Sequence, residues 1–289
     1  MFRASDESLN RLLLQAQASF PDDVAKRYFA QASFVLSKCM SQDWWEHECK
    51  RHESEQSIRK SLGPFLRDWT QAQYHIVALA DAIFSLRKSS GWDDYRARCV
   101  KQTDSGKMGR EFDEVYSELI VARLLQQLGA HIEFNEPSGK KGNDYDLVVE
   151  LAGVSVAVES KLRLVLEVDY LRTLENTLES ARKQLPRDRP SMIVAYVPHA
   201  WLEAESEPQV VNRIADFFRR SKRVNAVCLL WEAKVLLANG TAFLRHAAVA
   251  KNESARHIWS PSLEILERID SVWSAIPGKK LTPSFSFPM

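Results

Sequence analysis

Nothing in the 289 residues supplies an apolar run able to cross a bilayer, since the best stretch, Ile76 to Phe84, falls far short of the roughly 20 residues a span needs. It reads as a buried core helix. The four cysteines, at positions 39, 49, 99 and 228, form no CxxC pair and share no regular spacing, which argues against a disulfide framework. His47 and His52 near Cys39 and Cys49 match no standard zinc signature and would lie on different faces of one helix, so solvated histidines are expected there. With no secretory signal visible either, reduced thiols in the cytoplasm are expected. An excess of one charge is also lacking: Lys+Arg 39 against Asp+Glu 38 leaves +1. Any nucleic-acid surface must then be a local patch, because no global basic excess exists to drive counterion release. A Walker-type glycine-rich phosphate loop is missing, which argues against a nucleotide hydrolase.

What is present suits one large or two small globular domains, at 45% apolar residues. Residues 1–107 read as helical, with apolar residues at three- and four-residue spacings over Leu9 to Ala18, Val24 to Leu36, Ser54 to Leu62 and Trp69 to Leu86. The polar joint Thr103 to Met108 is the expected boundary. Residues 108–250 alternate strands with helices, which predicts an α/β core with a mixed sheet covered on both faces. Helices are predicted over Phe112 to Leu128, Tyr170 to Leu185 and Val210 to Arg219, and strands over Ser191 to Val197 and Asn225 to Trp231. Asn239-Gly240 marks a hairpin turn between Val235-Leu237 and Ala242-Leu244. Residues 251–289 add a last helix, Ser262 to Ala275, and a proline-containing tail.

The richest segment runs from Asn143-Asp144-Tyr145-Asp146-Leu147-Val148-Val149 to Val156-Ala157-Val158-Glu159-Ser160-Lys161. Centring a hairpin turn on Ala152-Gly153 sets Leu147 opposite Val158 and Val149 opposite Val156, with Tyr145 on the same apolar side. Asp146 then faces Glu159, and Asp144 faces Lys161. Opposed carboxylates, with Cβ atoms roughly 4.5–5.5 Å apart, repel unless a cation compensates them. Mg²⁺ prefers hard oxygen ligands, keeps several waters, and commonly uses one or two carboxylates plus substrate phosphate. The plainer alternative is a polar sheet face with a cross-strand ion pair between Asp144 and Lys161. Two other acid-x-Lys triplets occur. Glu48-Cys49-Lys50 lies in a polar helical segment, and Glu232-Ala233-Lys234 follows an apolar run but has no neighbouring strand to deliver a second acid.

This arrangement resembles the PD-(D/E)xK nuclease superfamily, the restriction-endonuclease-like fold, in which a strand-borne Asp and an acid-x-Lys on the next strand form the catalytic core. Tyr145 stands where the motif's name has proline, at a position that varies in the superfamily. The resemblance covers residues 108–235. It implies that Glu118, on the helix closing at Leu128-Gly129, belongs to the metal site, and that Gln184 supports it from the following helix. It implies a metal-dependent DNA endonuclease, with Asp146, Glu159 and the Ser160 main-chain carbonyl holding Mg²⁺ or Mn²⁺, and Lys161 orienting water or stabilising charge on the phosphate. A nuclease-like module kept only for binding nucleic acid or a protein is the alternative.

Basic residues that would suit a DNA backbone gather at Lys140-Lys141 and at Arg219, Arg220, Lys222 and Arg223, the second group also fitting a helix C-terminus on dipole grounds alone. A homodimer is expected by analogy, and the helical N-terminal region is the expected site for a protein partner.

Overall fold

The computed structural model describes residues 6–53, 69–101, 109–110, 112–139, 142–151, 153–163, 169–203, 206–237, 240–257, 259, 263–275 and 284. The helix expected over 54–62, the joint at 103–108, and Lys140 and Lys141 lie outside them. The chain divides into two compact units. Met1–Lys88, Trp92–Arg123 and Ile276–Met289 form the first, and Ser89–Gly91 with Leu124–Ala275 the second. No helix among the described residues is long and apolar enough to cross a membrane.

The described elements of the first unit are helical: α1 (Asp6–Ser19), α2 (Val24–Val35) continued by a π-helical turn to Met40, α3 (Gln42–Glu53), α4 (Trp69–Leu86), α5 (Trp92–Val100) and most of α6 (Phe112–Gln127). Asp23 caps α2 by accepting the Lys26 backbone N–H (3.0 Å), which satisfies one of the donors a helix start leaves open. Helix α4 is buried from Tyr74 to Ile83 on every face, including Asp81. A helix apolar all round belongs inside a core. Its one acid is compensated there by Arg123 Nε, 3.0 Å away.

The second unit is built on a six-stranded mixed sheet in the order β1 (His131–Phe134), β2 (Leu147–Leu151), β3 (Val154–Leu162), β4 (Ser191–Tyr196), β5 (Ala226–Leu237), β6 (Gly240–Lys251). Neighbours are antiparallel except β3/β4 and β4/β5, which are parallel. Parallel neighbours need a crossover, and α7 (Tyr170–Gln184) and α8 (Glu207–Arg220) supply it. The register Leu147↔Val158 and Val149↔Val156 is the expected one, and Gly153, just before Val154, takes φ +76.

Strand alternation sorts the core. Ala157, Ile193, Ala195, Val197, Val227 and Leu229 pack against Leu174, Leu178 and Ala181 of α7 and Ile214 and Phe217 of α8. On the other face, Trp273 of α9 (Leu263–Ala275) meets the Tyr196 ring edge-on at 6.0 Å. The expected hairpin at 239–240 is longer than read, with pairing continuing from Leu237↔Gly240 to Ala226↔Lys251.

Glu232 and Arg245, directly opposed on β5 and β6, form an ion pair at 2.7 Å with side chains 3% and 1% exposed, the guanidinium lying 4.5 Å from the Trp273 ring centre. Removing one member of a buried pair takes away the charge that compensates the other. Arg245→Ala is therefore expected to cost about 3–5 kcal/mol in urea unfolding; a loss below about 1 kcal/mol would show the pair to be dispensable.

Candidate active site

The strand that carries Asp146 is positioned by a residue the sequence reading passed over. Asn135, just after β1, donates its backbone N–H to the Asp146 carbonyl (2.9 Å) and its side-chain amide to the carbonyls of Tyr145 (2.8 Å) and Asn143 (3.1 Å). Both ends of Asn135 thus hold the approach to β2. Regular pairing stops at Leu147↔Val158, one residue short of Asp146. The Asp146 N–H donates to the Val158 carbonyl (3.2 Å), and its carboxylate accepts the Ser160 N–H at 2.7 Å. A side-chain oxygen takes over where the ladder ends.

Glu159 is fully buried on β3, on the face turned toward α7. An isolated carboxylate there would carry a large desolvation cost. Lys161, two residues on and on the same face, donates to Glu159 Oε1, and its ammonium also donates to Gln184 Oε1 at 2.7 Å. Lysine has donors only, so the Gln184 oxygen must be the atom that faces it. The amide nitrogen of Gln184 then reaches the Asp144 carbonyl at 3.4 Å. Gln184 faces the sheet because it ends the buried stripe Leu174, Thr177, Leu178 and Ala181 of α7. Asp169 starts that helix by accepting the Arg172 N–H (3.1 Å).

Four of the expected residues therefore converge: Asp146 and Glu159 at the two sides of the Glu159–Ser160 peptide, Lys161 against Glu159, and Gln184 against Lys161. The Ser160 side chain is buried on the opposite face, as alternation requires.

The alternative ion pair and one expected side-chain face are both corrected. Asp144 does not pair with Lys161, because its carboxylate accepts the backbone N–H groups of Ser138 and Gly139, each at 2.9 Å, and pins the preceding loop. Tyr145 does not share the side of Leu147 and Val149 but joins the cluster under α7 and α8 with Ala157 and Leu185. Both lie beyond the last regular pair, where alternation no longer fixes the face.

Glu118 belongs to the first unit and pairs with Arg110. Burial opposes the Arg110 charge, but Glu118, with Tyr95 and Cys99 beside it, outweighs that and holds the guanidinium above its ordinary range. The Cys99 thiol is pushed up to about 12, chiefly by burial. The rival triplets have structural work. Glu48 accepts the Phe112 N–H at the start of α6 (3.3 Å), and Glu232 pairs with Arg245. Of the second basic group, Arg219 pairs with Asp216, and Arg220 with Glu175 at 2.7 Å. Lys222 and Arg223 line a cavity with Arg187 and Arg256, two residues the sequence reading did not single out.

Among the described residues no group of three or more His, Cys, Asp and Glu side chains could hold a metal ion. Asp146 and Glu159 remain a pair of hard-oxygen donors. Their carboxylate oxygens are a donor type that fits Mg²⁺ completed by water. No family model matches the chain, and no curated protein does.

Stability without metal reports how Glu159 is compensated. In EDTA, Lys161→Met is expected to cost about 3–5 kcal/mol by removing the ammonium that compensates a buried carboxylate. Gln184→Leu should cost about 1.5–3 kcal/mol, for a lost hydrogen bond to a charged group. Asp146→Asn keeps an oxygen toward the Ser160 N–H and should stay within about 1 kcal/mol of wild type. Equal small losses for all three in urea unfolding would show that Lys161 does not compensate Glu159.

Proposed function

We propose that the chain is a metal-dependent nuclease on a restriction-endonuclease-like core, hydrolysing phosphodiester bonds within DNA. The observation that carries this reading is Lys161, held between a buried carboxylate on its own strand and Gln184 on the next helix, at the peptide where Asp146 docks. The parts follow one another as the resemblance asks: a strand led in by an acid, an acid-x-Lys strand, then a helix ending in glutamine.

Asp146 and Glu159, with the Ser160 carbonyl, would hold Mg²⁺ or Mn²⁺. The chemistry such an ion supplies when bound is a lowered pKa for water and neutralisation of phosphate oxygens. The chain's own residues do the positioning. Lys161 has three N–H donors and uses two on Glu159 and Gln184, leaving one for the attacking water or a non-bridging phosphate oxygen. Gln184 fixes the ammonium from the helix side, and Asn135 fixes the backbone that presents Asp146. The reading does not depend on Glu118, whose carboxylate is engaged by Arg110.

Incubation of supercoiled plasmid and labelled single strands with Mg²⁺, Mn²⁺ or EDTA tests the proposal. Metal-dependent nicking is expected, reduced about 100-fold or more in Lys161→Ala and Asp146→Asn. Folded wild type that cuts nothing, or variants as active as wild type, would overturn it in favour of a module that binds nucleic acid or a protein without cutting.

A further inference from the structure

Three turns distant in sequence meet at one cavity of about 160 Å³, lined by Arg187 after α7, Lys222 and Arg223 after α8, and Arg256 after β6. Their meeting is built into the backbone. Asn252, itself buried, donates to the carbonyls of Ser221 (2.7 Å) and Val224 (2.9 Å). Asn225 donates to the His257 carbonyl (2.6 Å), the His257 ring meets the Arg187 carbonyl (2.9 Å), and the Arg256 N–H donates to the Lys222 carbonyl (2.6 Å). Arg223 is half-buried and directs one nitrogen at the carbonyls of Arg182 (2.9 Å) and Leu185 (3.0 Å).

Among the described residues no carboxylate is paired with any of the four. Four like charges held around one space repel one another, and an anion reverses the sign. Burial first, then Arg182, Arg187 and Arg256, depress the Arg223 guanidinium below its ordinary value against the opposing pull of Glu179.

We infer that this cavity is a phosphate subsite that grips the backbone of a DNA strand away from the bond being cut. The assignment rests on the nucleic-acid reading of the neighbouring carboxylate–lysine cluster. At about 160 Å³ the space has room for a phosphate group among the four cations. A strand is favoured over a free ion because Arg187, Lys222 and Arg256 are exposed and can follow a polyanion past the cavity mouth. The two sites are joined through consecutive residues: Gln184 holds Lys161, and the next carbonyl, that of Leu185, holds Arg223.

The test is binding of labelled duplex and single-stranded DNA by full-length protein in EDTA across a salt series, so that cleavage plays no part. The triple variant Arg187→Ala/Lys222→Ala/Arg256→Ala is compared with Arg11→Ala/Lys88→Ala/Lys101→Ala, which removes the same charge from exposed positions elsewhere. The cavity variant should bind about tenfold or more weakly, and its plot of log K against log salt should be shallower by about 1 for each phosphate it no longer neutralises. The control should keep the wild-type slope. Equal weakening in both variants, an unchanged cavity variant, or wild type that binds no DNA would overturn the inference. Calorimetry with inorganic phosphate separates the sources, since saturable phosphate binding without DNA binding would assign the cavity to a free anion and overturn the strand. Cavity-dependent binding by a wild type that never cuts would leave this inference standing while the nuclease reading falls.

Discussion

A carboxylate without access to water must be compensated by the protein around it, and Glu159 places that demand on β3, in the middle of the sheet. Lys161 meets it only because the two residues share a strand face. The ammonium is steadied only because α7 ends with Gln184 on its buried stripe. The parallel pairing of β3 with β4 requires that helix as its crossover, so the same topology that closes the sheet also delivers the glutamine. A one-residue slip of β3 would turn Glu159 and Lys161 to the opposite face and undo the arrangement.

Two groups of positive side chains in the second unit contrast. Arg213, Arg220 and Arg245 each have a carboxylate within 2.7 to 2.9 Å and serve to tie helices or strands together. Arg187, Lys222, Arg223 and Arg256 have none among the described residues, and Asn225 and Asn252 hold the turns that carry them in place. A protein of nearly balanced charge can in this way keep a local positive site, which bears on why its overall charge is uninformative about anionic partners.

Where regular pairing holds, the sequence was legible in detail. Alternation of Leu147, Val149, Val156 and Val158 around a Gly153 turn determined both the register and the shared face of Glu159 and Lys161. Helical spacing gave α4 and α7 nearly to the residue. Legibility failed two and three residues past the ladder, where Tyr145 and Asp144 are directed by Asn135 and by loop amides. Strand β1 went unread because His131–Phe134 is four residues long with only two buried side chains. Arg187 and Arg256 carried no signal either, since their meeting with Lys222 depends on backbone bonds between turns separated by whole strands and helices.

The central claim is that Asp146 and Glu159 form a divalent-metal site, and Mn²⁺ titration of the free protein, read by the resonance of the unbound ion, tests it most directly. Wild type is predicted to show saturable binding that weakens about tenfold or more in Asp146→Asn, a variant whose fold should be intact. Wild type with no saturable binding, or a variant that binds as tightly, would contradict the account.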